Sequence, residues 1–160
     1  MKKDLSNVVS LVGILISLIT IDFLIKFWVN SHVFEPIVVW KNSIGIDFFI
    51  QHVTNRGGAW GMLASLYKPL LIIRVLIIMG LLAYLWSETP PFKKSLYIIL
   101  ILSGAMGNVL DSFLYGHVID MFHFVFWGRS YGIFNFADAI IFIGSMGLIF
   151  TPKKIAHVNR

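Results

Sequence analysis

Four long apolar runs mark this chain, separated by shorter segments in which polar, charged and aromatic residues mix. Val8–Ile21 is uncharged, and its apolar pattern continues to Val29 around Asp22 and Lys26. Leu70–Trp86 is interrupted only by Arg74. Ser95–Leu110 is uncharged, and Asp138 is the one charged residue of Phe134–Phe150. Each run approaches the ~20 residues that cross about 30 Å of hydrocarbon. The later ones are slightly short and need interfacial residues or local thinning to complete a crossing. The pattern predicts a polytopic α-helical membrane protein. Its four transmembrane helices are expected at about residues 8–29, 69–87, 95–115 and 134–151, in a single membrane domain over 1–160.

Two outer loops, 30–68 and 116–133, follow from that division. In the first, Phe34–Trp40 and Ile44–Thr54 are rich in Val, Ile and Phe and read as short strands. Asn55-Arg56-Gly57-Gly58 is a turn signal. Together these residues predict a small sheet lying on the membrane surface. Ala59–Tyr67 reads as a short interfacial helix, with Trp60 and Tyr67 at headgroup level.

Composition agrees with a membrane setting. The 160 residues are 58% hydrophobic and 13% charged, against roughly 45–50% and 25% in soluble domains. The absence of cysteine excludes disulfides, zinc–thiolate sites and cysteine nucleophiles. The thirteen basic residues form no stripe, so anionic lipid headgroups, not nucleic acid, are the expected partner. Lys2, Lys3, Lys93, Lys94, Lys153, Lys154 and Arg160 share one side of a four-span chain. Lys41, Arg56, Lys68 and Arg129 lie on the other. Seven against four predicts cytoplasmic termini. The Lys-Lys start resembles a signal peptide but has no A-x-A-like cleavage site, so it is read as a retained first helix.

Ionisable residues at membrane depth mark candidate sites. Asp22 and Lys26 lie four apart on one helix face. They read either as an ion pair with Lys26 snorkelling outward or as part of a site. Arg74 reads as snorkelling, or as a partner of Asp22 or Asp111. Gly104, Gly107, Asn108 and Asp111 share one face of the third span, where small residues admit a close neighbour. Asn108 and Asp111 are then either interhelical hydrogen-bond glue or catalytic. Asn55 reads as a turn asparagine or as a group facing substrate. Asp120, beyond the third helix, and Asp138, one turn into the fourth, are expected at one level just under the outer surface. Two carboxylates that share a proton can activate water and polarise an amide. The alternatives stay open. Asn135-Phe136-Ala137-Asp138 also reads as a helix cap with an acidic third residue. Asp120 also reads as a loop carboxylate paired with His117, His123 or Arg129, or as a metal ligand with the two histidines. A proton or ion relay through Asp22, Lys26 and Asp111, and a lipid-binding chaperone, are competing function classes.

Five elements in order resemble the lipoprotein signal peptidase, or signal peptidase II, family. Asp22…Lys26 is similar to its first-span D-x-x-x-K, and Asn55–Gly61 to its N-x-G-A-A-[FW]-G. Gly104–Asp111 is similar to its G-A-x-G-N-x-x-D, Gly116–Phe122 to its G-x-V-[VI]-D-[FM], and Phe134–Asp138 to its F-N-x-A-D. The resemblance implies an aspartic endopeptidase of the bacterial cytoplasmic (inner) membrane. It would remove signal peptides from prolipoproteins, cutting before a diacylglyceryl-modified cysteine. Asp120 and Asp138 would be the catalytic dyad. Asn55, Gly104, Asn108, Asp111 and Asn135 would shape the site, and Asp22 with Lys26 would support it. No cofactor or metal is implied, and a monomer is expected. The implied fold adds a small extracytoplasmic β-cradle and an interfacial helix to the four helices. Two positions depart from the family pattern: Ser112 stands where an arginine is usual, and Gly58 where alanine is common.

Overall fold

The computed structural model describes residues 4–41, 44–56 and 64–151. Helix α1 (Leu5–His32) starts at Asp4, whose side chain accepts a hydrogen bond from the Ser6 backbone N–H at 3.1 Å. Strands β1 (Ile37–Lys41) and β2 (Ile46–Asn55) follow, then a single 3₁₀ turn (Ala64–Leu66) that leads straight into α2 (Tyr67–Ser87). Helix α3 (Phe92–Leu114), strands β3 (Val118–Phe126) and β4 (Arg129–Ser130), and helix α4 (Phe136–Ile149) complete the order. Helices α1, α2 and α3 are each long and apolar enough to cross a membrane, while α4 is a shorter apolar helix of 14 residues.

The helices are distinguished by what they bury. Only 6% of the apolar stretch of α1, and of α2, is inside the protein, against 50% for α3. Helix α3 is therefore the axis, packed most extensively on α4, then on α1 and α2. This is the arrangement expected where lipid covers the outer helices, since lipid tails are as apolar as leucine and exert no pressure to bury them.

The four strands form one antiparallel sheet in the order β1-β2-β3-β4. Residues 118–126, expected as loop, are the longest part of the chain to pair with β2, in a register that sets Val53 opposite Asp120 and Asn55 opposite Val118. The run Val-Ile-Asp-Met-Phe-His-Phe-Val-Phe is rich in β-branched and aromatic residues, which suits a pleated, half-buried surface. Val29 and Val33 at the end of α1 pack with Ile119 and Met121 of β3, which docks the sheet onto the helices. The interfacial helix expected over Ala59–Tyr67 falls largely outside the described residues, and Tyr67 itself opens α2.

Candidate active site

Where α1, α3, α4 and β3 meet, the interior carries a continuous polar network. Lys26 of α1 is its centre. The side chain is fully buried, with Nζ 2.7 Å from Asp22 Oδ2 and 2.8 Å from Asp111 Oδ2. This corrects the expectation that Lys26 snorkels to the surface: two carboxylates from different helices hold its ammonium inside. Arg74, considered as a partner for either aspartate, is not the cation they share.

The two aspartates also carry the fold around the site. Asp22 Oδ1 accepts from the Ala137 N–H at 3.0 Å, tying α1 to the first turn of α4. Asp111 Oδ2 accepts from the Ile119 N–H at 3.2 Å, tying α3 to β3. These backbone donors were not among the expected site groups, and no side-chain pattern reveals them. Gly107 and Gly104 make the approach possible. A Cβ on Gly107 would fall on the Asp22 carboxylate, and one on Gly104 on the Ala137 carbonyl. Ser112, at the position where the family pattern has arginine, is buried and donates its hydroxyl to the Asn108 carbonyl at 2.9 Å.

Asparagines connect this core to Asp120 and Asp138. Asn108 accepts from Lys26 Nζ on Oδ1 at 3.0 Å and donates from Nδ2 to Asp138 Oδ1 at 2.9 Å. Asn135 caps α4. Its Oδ1 accepts from the Asp138 N–H at 2.9 Å, and its own N–H meets Asp138 Oδ2 at 3.4 Å in a reciprocal capping box. Asn135 Nδ2 donates to Asn108 Oδ1 at 3.1 Å and to Asp120 Oδ1 at 2.8 Å. The cap and the link between the two aspartates are therefore one residue.

Asp120 lies on β3, not in a loop, and its partners are not His117, His123 or Arg129. Asn55, at the end of β2, sits diagonally across from Asp120 in the strand register, within reach for a long side chain. Its Nδ2 donates to Asp120 Oδ2 at 2.8 Å. The turn reading of Asn55 gives way to this contact. His123 instead bonds Ser130 Oγ at 2.7 Å. Among the described residues no three imidazole or carboxylate groups come together to hold a metal. Gly57–Gly61, the rest of the Asn55 element, lie outside the described residues.

Asp120 is 2% exposed, whereas Asp138 is only half-buried. Burial pushes the Asp120 carboxyl up to about 6, and the nearby Asp138 charge adds to the rise. The bonds from Asn55 and Asn135 pull the other way. A buried carboxylate with a second carboxylate beside it is a candidate for acid–base chemistry.

The fold and this interior acidic centre define an integral membrane protein whose helices, with a small antiparallel sheet, gather several aspartates around buried asparagines and a lysine. Solved structures show the same fold. One bacterial membrane enzyme, determined at 2.3 Å by the in meso method, matches with a TM-score of 0.75 and 22% identity, covering 91% of this chain and 94% of its own. The family model of signal peptidase (SPase) II matches residues 14–152. The lipoprotein signal peptidase of Wigglesworthia glossinidia brevipalpis is 32% identical over 151 residues, 91% of this chain and 95% of that protein. That of Chlamydia felis is 40% identical over 123 residues, 72% and 71% respectively. The chain belongs to the signal peptidase II family, the hydrolases that process lipoproteins.

Proposed function

We propose that Asp120 and Asp138 are the catalytic dyad with which this chain cleaves the signal peptide from diacylglyceryl-modified prolipoproteins, before the lipidated cysteine. The observation that carries the reading is Asn135, which binds Asp120 through its amide and Asp138 through its cap, so that strand and helix deliver two carboxylates to one point. One carboxylate, ionised, takes a proton from water as the water oxygen attacks the scissile carbonyl. The other, protonated, donates to the carbonyl oxygen. As the C–N bond breaks, the leaving nitrogen receives a proton from the pair. The two groups titrate as a unit, so neither role belongs to one residue alone. Substrate reaches the pair from the side of half-buried Asp138. Asn55, Asn108 and Asn135 stabilise the pair's negative charge with N–H donors, and Gly104, Asp22, Lys26 and Asp111 hold the elements in place.

In this reading α4 is the fourth crossing. At ~1.5 Å per residue its 14 residues span about 21 Å, so flanking residues or a locally thinned bilayer complete it. The sheet is the extracytoplasmic cradle, both termini are cytoplasmic in the bacterial inner membrane, and the chain works as a single membrane domain and a monomer. The distribution of basic residues and the family membership support this placement.

Incubation of the purified protein with a diacylglyceryl-modified precursor tests the reading. Asp120→Asn and Asp138→Asn are each expected to lower cleavage by ~10²–10⁴, the range of lost acid–base catalysis, while the protein still inserts and unfolds cooperatively. Cleavage retained by either variant would sink the dyad. The unlipidated precursor is expected to remain uncut.

A further inference from the structure

Lys26 does more than neutralise two aspartates. An ammonium has three N–H donors and no acceptor. Two point to Asp22 and Asp111, and the third to Asn108 Oδ1 at 3.0 Å. An asparagine amide is nearly symmetric in shape but opposite in polarity at its two ends, so its direction is decided by the network around it. Here the network starts from a group that can only donate. With Oδ1 held by the ammonium, Asn108 Nδ2 faces Asp138 Oδ1. The same Oδ1 accepts from Asn135, whose second N–H reaches Asp120. Asn135 has an independent lock, since its oxygen accepts from the Asp138 N–H. Asn108 is held at its oxygen end by Lys26 and Asn135 alone.

Resting on the dyad reading above, we propose that Lys26 is a positioning residue for the hydrolysis: it fixes the direction of the Asn108 amide and so keeps an N–H donor, not a carbonyl oxygen, against Asp138. The charged and titratable groups facing this centre are Asp22 and Lys26 from α1, Asp111 and the C-cap Tyr115 from α3, Asp120 from β3 and Asp138 from α4. The cation also polarises the amide, which strengthens the N–H at its far end. Without Lys26, only the Asn135 N–H still holds Asn108 Oδ1, so the amide turns more readily, and an oxygen set against the dyad favours its protonated form. The dyad then keeps both protons to higher pH, and the ionised form that activates water becomes scarcer.

Lys26→Met alone leaves two buried carboxylates without a cation, so the informative variant is the neutral D22N/K26M/D111N. Its cleavage of the lipidated precursor is followed across pH, with thermal unfolding in detergent as the folding control. We expect kcat to fall by about tenfold, as for the loss of one hydrogen bond to a charged group, with KM little changed. The acid limb of the kcat profile should move up by about one pH unit. D22N/K26Q/D111N, whose amide N–H can still donate to Asn108, should recover part of the loss. In an Asn108→Ala background the same triple change should cost nothing further. Wild-type kcat and acid limb in the triple variant, or a full additive loss on Asn108→Ala, would overturn the proposal. Asn108→Asp supplies an arm that leaves Lys26 in place. It sets an oxygen against Asp138 and should raise the acid limb too, and an unmoved limb overturns the proposal equally. Failure of these arms with Asp120→Asn inactive refutes the role of Lys26 and leaves the dyad standing. An active Asp120→Asn removes both.

Discussion

The two halves of α3 share one helix and one apolar background and are used in opposite ways. The half from Phe92 to Ser103 buries Ile98, Ile99 and Leu102, which pack with Leu11 and Leu15 of α1 and Leu81 and Leu85 of α2. An apolar cleft of about 400 Å³ opens beside it, lined by residues such as Val8, Leu11, Leu82, Leu85 and Ile99. The half from Gly104 onward buries Gly104, Gly107, Asn108, Asp111 and Ser112. There the side chains are tied to one another instead: Lys26, Asn108 and Asn135 each make several polar contacts. The difference has a physical cause. Lipid tails can replace a leucine contact at little cost, so the apolar half tolerates gaps. An unsatisfied polar group has no such substitute in a dry interior, so the polar half must be complete.

That contrast predicts unequal responses to removing one side chain from each half. Lys26→Met should give the largest loss of stability, about 3–5 kcal/mol, because it strands two buried carboxylates. Unfolding in detergent measures it, and neutralising Asp22 and Asp111 together should restore most of the loss. If Lys26→Met is as stable as wild type, the polar half is not the saturated unit described. Leu102→Ala should cost about 2–5 kcal/mol, depending on how far the cavity collapses. Its cleavage rate per folded molecule should stay at the wild-type level, because Leu102 belongs to the apolar cluster and not to the polar network. A large fall in that rate would mean that the two halves of α3 are mechanically coupled.

The same contrast explains what could be read in the chain without coordinates. The apolar runs at 8–29, 69–87 and 95–115 were legible because a membrane helix must satisfy its own backbone and show lipid a long uncharged surface. The cap of α4 was legible because Asn135 and Asp138 carry their signal within four residues. The rest depends on pairs distant in sequence. Asn55 looks like a turn residue until β2 and β3 are in register. Lys26 looks like a snorkelling end of α1 until Asp111 arrives from α3. Strand β3 was missed although its β-branched and aromatic residues favour one, because Asp120 and His123 interrupt its apolar pattern. The donors Ala137 N–H and Ile119 N–H are backbone groups that every residue but proline has, so nothing in the sequence marks them.

A smaller effect separates the site from the apolar half through pH. Burial holds the Asp120 carboxyl at about 6 in the folded protein, above its ordinary 3.8. The folded state therefore binds this proton more tightly than the unfolded chain does. The resulting stabilisation is fully present below about pH 3.8 and is lost as pH rises through about 6. At 1.36 kcal/mol per pKa unit the loss is about 1–3 kcal/mol. Asp120→Asn cannot titrate, so its stability should fall less than that of the wild type between acid and neutral pH. The amide also places an N–H against one of the donors from Asn55 and Asn135, which costs a hydrogen bond. That cost is the same at every pH and leaves the slope unaffected. Thermal unfolding in detergent near pH 4 and pH 7 reads the difference directly, with Leu102→Ala expected to run parallel to the wild type. Equal slopes for wild type and Asp120→Asn would mean that Asp120 ionises as it would in water, and the dry pocket around it would have to be abandoned.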